Sequence, residues 1–131
     1  KIRAALAAAR QRYPGRRLWA VWQPHTFSRT RQFAEQFADS FGDADRVIAL
    51  DIYRSREAQD DEISTGMVLD MMNHAHAVYI PQQEEAVTYL LDRIHPDDIV
   101  ITLSAGDGNL VGQKLLDALE QRVGTKGNHS A

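Results

Sequence analysis

No cysteine occurs among the 131 residues, which excludes disulfides and thiolate metal sites together. That usage suits a reducing compartment, and a cytoplasmic location is expected. No apolar run approaches the roughly 18 residues of a membrane-spanning helix, so no membrane partner is expected. Charge of one sign is not in excess: 15 Lys and Arg against 18 Asp and Glu leave a net −3. So weak a field gives no reason to expect nucleic acid or anionic lipid as a partner. There is no G-x-x-x-x-G-K-[ST] loop, so the chain alone cannot cradle ATP phosphates in that way. G-x-S-x-G and H-E-x-x-H are also missing. The opening Lys1-Ile2-Arg3-Ala4-Ala5-Leu6 has neither an initiator Met nor a signal-peptide pattern, and the chain is expected to be a piece of something longer.

What is present suits one domain with a sizeable core, at 44% hydrophobic and 25% charged residues. Four short apolar runs stand out: Leu18–Trp22, Val47–Leu50, Ala77–Ile80 and Ile99–Leu103. None alternates cleanly with polar residues, so both faces of each strand should be covered, as in a parallel sheet between helices. Helical periods lie between them. Phe33, Phe37 and Phe41, with Ala34 and Ala38, form one stripe; Met67, Val68, Met71 and Met72 a second. Ala86, Val87, Leu90, Leu91 and Ile94 form a third, and Leu110, Val111, Leu115, Leu116 and Leu119 the last. Spacings of i, i+4 and i+1, i+5 predict that each set faces the sheet. A first helix over residues 2–12 should bury Ile2, Ala5, Leu6 and Ala9 and stop at Pro14-Gly15. The expected class is α/β, an open, mainly parallel, doubly wound (Rossmann-like) sheet flanked by helices. The domain should occupy residues 1–123, with 124–131 a small, polar, disordered tail.

Open α/β sheets bind ligands outside the carboxyl ends of their strands. The first strand is followed by Gln23-Pro24-His25-Thr26-Phe27-Ser28-Arg29-Thr30-Arg31, the second by Asp51-Ile52-Tyr53-Arg54-Ser55-Arg56-Glu57, the fourth by Ser104-Ala105-Gly106-Asp107-Gly108-Asn109. Connections at the opposite edge look plain: Gly42-Asp43-Ala44-Asp45 and His95-Pro96-Asp97-Asp98. In the first segment Thr26 or Ser28 can cap the helix with the Phe stripe, leaving free N–H groups and the positive dipole end pointing outward. Arg29 and Arg31 add permanent charge, and His25 a group that donates or accepts near neutral pH. Together they read as a corner for a carboxylate or phosphate. The plainer alternative is a capped helix with solvated arginines.

Three other patterns invite chemistry. Gly106-x-Gly108-x-x-x-Gly112 is one residue too long for the dinucleotide fingerprint and follows the last strand instead of the first. Its glycines are expected to permit a tight turn with N–H groups facing the same cleft. His74-x-His76 has no third ligand nearby, so no metal is expected there. Asp60-Asp61-Glu62 should favour the dipole of the helix that follows.

The segment Trp22-Gln23-Pro24-His25-Thr26-Phe27-Ser28-Arg29-Thr30 resembles the FQPHxYSRT signature of the Mur ligases, in the branch that adds L-alanine to UDP-N-acetylmuramate. Asp45-Arg46-Val47 through Asp51-Ile52-Tyr53 to Arg56-Glu57 resembles that branch's AD-x-V…DIY-x-x-RE stretch. Asp97-Asp98-Ile99-Val100 to Ser104-Ala105-Gly106-Asp107 resembles its closing GD-x-V…GAGD. The likeness spans nearly the whole chain in order.

The resemblance implies three domains: one for the UDP-sugar, a central ATPase and a C-terminal Rossmann-like domain that closes the site and helps bind the amino acid. This chain would be the last. ATP and magnesium would be held mainly by the central domain, with no cofactor, metal or catalytic residue expected here. Partners would be UDP-N-acetylmuramate, a small amino acid and the other two domains. By motif matching, His25, Thr26, Ser28 and Arg29 would line the cleft, with Tyr53, Glu57 and the turn Ala105, Gly106 and Asp107 shaping its walls. Thr26 stands where many members have a second Arg, Arg54-Ser55-Arg56 replaces a common Ala-Ala-Gly, and the family's DDYGHHPTE opening is not in this chain. The alternative class is a non-catalytic flavodoxin-like or nucleotide-binding module, although Gln23-Pro24-His25 argues against a receiver, which would need an acidic pair there.

Overall fold

In a computed structural model the backbone is described over residues 1–130 and side chains over 1–123. The expected tail over 124–131 therefore falls outside the fully described residues. The elements run α1 (Ile2–Arg12), β1 (Leu18–Trp22), α2 (Phe27–Gln32), α3 (Ala34–Ala38), β2 (Arg46–Ala49), α4 (Thr65–Met71), β3 (Ala77–Tyr79), α5 (Gln83–Arg93), β4 (Ile99–Leu103) and α6 (Leu110–Ser130). Among the described residues no helix is long and apolar enough to cross a membrane.

All neighbouring strands pair parallel, in the order β3-β2-β1-β4. The chain builds outward from β1 through β2 to β3, then returns to place β4 on the other side of β1. That reversal makes the β1/β4 boundary the topological switch point, where a cleft opens at the carboxyl ends. The expected open, doubly wound parallel sheet is what forms.

Alternate residues of the central strands feed two cores. Leu18, Ala20, Trp22, Val47 and Ala49 face α1, α3 and α4 through Leu6, Ala38, Val68 and Met72. Trp19, Val21, Ile48 and Leu50 face α5 and α6 through Ala86, Val87, Leu90, Val111 and Leu115. The expectation that both faces of every strand are covered holds for β1 and β2. The edge strands β3 and β4 are only half-buried, apart from exposed Tyr79.

Two helical expectations need correction. The Phe stripe does not lie on one helix: the chain breaks at Phe33 (φ −115°, ψ 22°) between α2 and α3, and Phe41 lies beyond α3. The break allows Phe27 and Thr30 of α2 to be buried while Phe37 and Phe41 each pack on Trp22 at 5.2 Å. The paired stripes also read too wide. Val68, Met72, Val111 and Leu115 are buried, whereas Met67, Met71, Leu110 and Leu116 are 44–56% exposed. Only one of two adjacent lines on each helix meets a four-stranded sheet. In α1 only Leu6 is fully buried, and the chain turns after it at Gly15, whose φ of +79° suits glycine.

Candidate functional site

Beyond their regular ends, β1 and β2 continue to pair. Thr26 N–H donates to Tyr53 O at 2.8 Å and Tyr53 N–H to Pro24 O at 2.8 Å, making a parallel bridge at His25 and Tyr53. Their rings stack with centroids 5.7 Å apart. The first two polar segments thus form one rigid edge of the cleft.

Gln23 ties in the third segment. It is buried at the end of β1, facing the switch point. Its Oε1 accepts from the Ser104 hydroxyl (2.7 Å) and the Gly108 N–H (2.9 Å), and its Nε2 donates to Asp107 Oδ1 (2.7 Å). Ser104 Oγ in turn accepts from Gly106 and Gly108 N–H groups. Close approach explains both glycines. A Cβ on Gly106 would lie 2.6 Å from the Tyr53 ring, and one on Gly108 2.7 Å from Gln23 Cβ. The turn therefore packs on Gln23 and Tyr53 and directs its N–H groups inward to Gln23 and Ser104. The expectation that these groups face the cleft is corrected, and the same packing leaves no backbone approach for a dinucleotide pyrophosphate.

The N-terminus of α2 is likewise filled. Thr26 caps it, its hydroxyl accepting from Arg29 N–H at 3.3 Å. Thr26 does so from a strained backbone, φ 63° and ψ 150°, a region nearly reserved for glycine. Glu57 Oε1 accepts from Phe27 N–H (2.6 Å) and Ser28 N–H (3.2 Å), and Oε2 from the Ser28 hydroxyl. The Ser28 hydroxyl holds the Glu57 carboxyl below the ordinary carboxylate range, with partial burial opposing it and the Ser28 and Phe27 N–H groups and the charge of Arg31 adding to it. The free N–H groups expected at this helix end are thus occupied by the chain's own carboxylate, drawn by the positive end of the dipole.

What remains for a ligand is side-chain charge. Among the described residues Arg29 makes no hydrogen bond or ion pair through its guanidinium, which lies over the Phe33 ring at 5.5 Å. Arg56 is similarly exposed and unpaired, while Arg54 only donates to Glu57 O at 3.3 Å. Arg31 differs: it is ion-paired with Asp60 and lies 3.7 Å from Glu62. That pairing corrects the expected role of Asp60-Asp61-Glu62. The run precedes α4, whose first turn holds no acidic residue and whose cap is Ser64.

The structure brings His25, Thr26, Ser28, Arg29, Tyr53, Glu57, Gly106 and Asp107 to one edge, with exposed Ala105 on the turn between. Motif reading missed Gln23, Ser104 and Gly108 as the clamp that joins the segments. A polar residue buried directly after an all-apolar strand was the available signal. The His74 ring is held by the fold, while the His76 side chain is exposed. The His76 N–H can only donate, so His74 Nδ1 accepts it (3.0 Å) and Nε2 donates to Ala44 O (2.7 Å). Among the described residues no group of three or more His, Cys, Asp or Glu could hold a metal.

A family model described as "Mur ligase, glutamate ligase domain" matches residues 1–106. The chain is 44% identical over 117 residues to the UDP-N-acetylmuramate–L-alanine ligase of Alkaliphilus metalliredigens, covering 88% of this chain and 25% of that protein. It is 43% identical over 119 residues to the protein of that name from Desulfitobacterium hafniense, covering 88% and 26%. The chain thus spans about a quarter of the length of these relatives. Among solved structures, it superposes with a TM-score of 0.65 and 26% identity on a domain of a Haemophilus ducreyi protein described as a UDP-N-acetylmuramate:L-alanyl-gamma-D-glutamyl-diaminopimelate ligase, over 90% of this chain and 80% of that one. A murein peptide ligase from Psychrobacter arcticus shares the fold, with a TM-score of 0.69 and 19% identity over 90% of this chain and 25% of that one. With the motifs, the parallel 3-2-1-4 sheet and the family match over residues 1–106 in agreement, the chain belongs to the Mur ligase family.

Proposed function

We propose that this chain is the C-terminal, substrate-binding domain of an ATP-dependent cytoplasmic ligase that joins an amino acid, L-alanine, to UDP-N-acetylmuramate through an acyl phosphate in peptidoglycan precursor synthesis. The observation that carries the reading is Arg29 at the carboxyl-end edge of the sheet, its guanidinium without a hydrogen bond or ion pair among the described residues, in a chain 44% identical to a ligase so named. A guanidinium without a carboxylate of its own is disposed to take one, or a phosphate, from a substrate. The domain's part would be to bring that cation to the substrate and to exclude water when it closes on its neighbours.

ATP and magnesium do not fit this chain's own residues. It has no phosphate-binding loop, the N–H groups of Phe27, Ser28, Gly106 and Gly108 are used internally, and no metal-ligand cluster converges among the described residues. They would be held mainly by the central domain, so the isolated chain should release no ADP above background.

The test is steady-state kinetics on the full-length enzyme. Arg29→Ala should lower kcat/KM about ten- to a hundred-fold, the effect of losing one charged hydrogen bond to a bound anion. Arg31→Ala removes a half-exposed cation paired with Asp60 and near Glu62 and should change it less than about two-fold. Equal, small effects would defeat the assignment. The Michaelis constant that rises identifies which substrate carries the anion.

A further inference from the structure

We propose that Glu57 is a positioning residue: seated on the N-terminus of α2, its carboxylate fixes Arg29 and His25 where the substrate anion meets them. The inference rests on the anion-binding reading of Arg29 and goes beyond it by assigning Glu57 a task other than forming a wall of the cleft.

Glu57 already accepts from Phe27 N–H, Ser28 N–H and the Ser28 hydroxyl, so its carboxylate is committed to the protein. The helix it serves is six residues long and breaks at Phe33. A helix so short does not hold itself, because nucleation costs more than one turn returns. Its orientation, and with it the direction of Arg29, depends on anchors outside. One side is anchored in the core by buried Phe27 and Thr30, the Thr30 hydroxyl donating to Thr26 O at 2.7 Å. The exposed side, where Ser28 and Arg29 lie, is held by Thr26 Oγ1 and by Glu57. Thr26 is the weaker of these, reaching Arg29 N–H at 3.3 Å from a strained backbone.

Glu57 is itself well placed to act as a strap. Its N–H donates to Arg54 O at 3.0 Å, and two backbone bonds pin Tyr53 to Pro24 and Thr26. The segment after β2 is thereby tied to the segment after β1 at both ends, with the His25–Tyr53 stack between. The arrangement also explains why a carboxylate three positions past a cationic loop does not silence Arg29. Backbone and hydroxyl donors satisfy Glu57, and the cation whose charge acts on it is Arg31, itself paired with Asp60. Arg29 is left available for a ligand.

A double-mutant cycle in the full-length enzyme tests this, using kcat/KM for Arg29→Ala, Glu57→Ala, Glu57→Gln and the combinations. A residue that works through Arg29 loses its effect once Arg29 is gone. Each alanine variant should lose about ten- to a hundred-fold, and the Arg29→Ala/Glu57→Ala pair should be no worse than the poorer single. Both singles should raise the Michaelis constant of the same substrate. Glu57→Gln, which keeps an acceptor for the Phe27 N–H, should recover much of the loss. Should Glu57→Ala fail to fold by circular dichroism, Glu57→Asp, whose shorter side chain withdraws the carboxylate from the Phe27 and Ser28 N–H groups, takes its place in the cycle with the same expected coupling to Arg29. Losses that multiply in the double variant would mean Glu57 acts independently and would overturn the inference while leaving Arg29's role intact. A silent Arg29→Ala removes the anion assignment and this inference together.

Discussion

Asp98→Ala should be among the most destabilising single substitutions in the domain, although Asp98 lies at the edge of the sheet away from the cleft. Its side chain is 7% exposed and one oxygen, Oδ2, accepts from Arg17 Nε (3.0 Å) and NH2 (2.8 Å), Trp19 Nε1 (2.9 Å) and His95 N–H (2.9 Å). Removing one partner of a buried ion pair costs about 3–5 kcal/mol. Arg17 is 24% exposed and keeps a bond to Arg93 O, so it rehydrates in part and the ion-pair loss falls at or below the low end. Trp19, 1% exposed, is left with an indole N–H that has no acceptor, adding about 1 kcal/mol or more. A total near ~3 kcal/mol follows. At roughly 2.1 cal/mol/K per residue, a chain of 131 residues unfolds with an entropy of about 0.28 kcal/mol/K, so Tm should fall by about 10 °C.

Thermal melts at neutral pH read this directly, and a shift below about 2 °C would refute the reasoning. Acid titration supplies a second reading. Burial by itself would push the Asp98 carboxyl up, but the hydrogen bonds from Arg17, His95 N–H and Trp19 outweigh it and hold it below the usual carboxylate range. Stability from a carboxyl so held is complete above its unfolded value, about 4, and is lost as pH falls through the lower folded value. The native chain should therefore weaken on acidification below about pH 4, and the Asp98→Asn profile should be flatter there.

Gly106→Ala forces a Cβ to 2.6 Å from the Tyr53 ring. It should cost about 1–3 kcal/mol in a melt and, by displacing Tyr53 from His25, impair turnover of the full-length enzyme; a variant with native Tm would sink the account of the turn. Thr26→Gly should instead stabilise by about 1 kcal/mol. Relief of the positive-φ strain, about 1–3 kcal/mol, outweighs a few tenths for the weak cap and up to about 1 kcal/mol of unfolded-state entropy; a lowered Tm would show that Thr26 carries no such strain.

Sequence patterning placed β1 and β4 to the residue, because their continuous apolar runs end abruptly at polar segments, although only β1 of the two is buried on both faces. It also brought out that polar segments follow three of the four strands at the same end, which is where the structure gathers them. It overlooked what depends on partners far along the chain. Glu57 reaches back thirty residues to α2, and Gln23 forward more than eighty to Ser104 and Gly108. No local period carries such contacts. The Phe33 break was hidden for the opposite reason: phenylalanines at a spacing of four suit one helix so well that nothing local marks the kink, which packing on Trp22 imposes.

The edge read as plain is in fact densely bonded, and its arginines are held differently from those of the cleft edge. At the amino ends of the strands Arg10 pairs with Asp45 at 2.6 Å, Arg17 with Asp98 at 2.8 Å, and Arg16 lies 3.9 Å from Asp97. Burial works against the Asp45 charge, yet the bonds from Arg10 and Leu18 N–H hold its carboxyl below the ordinary range, as at Asp98. At Arg10 and Arg17 an external anion would have to displace a carboxylate fixed in place by the fold, whereas Arg46 at the same edge makes no ion pair among the described residues and lies over the Trp19 ring at 5.7 Å. At the carboxyl ends the accounting is reversed. The chain's own acceptors, Glu57, Gln23 and Ser104, satisfy the backbone donors of the turns, while Arg29 and Arg56 are unpaired among the described residues. At Arg10 and Arg17 a ligand must therefore displace a bonded carboxylate, and at Arg29 and Arg56 only water.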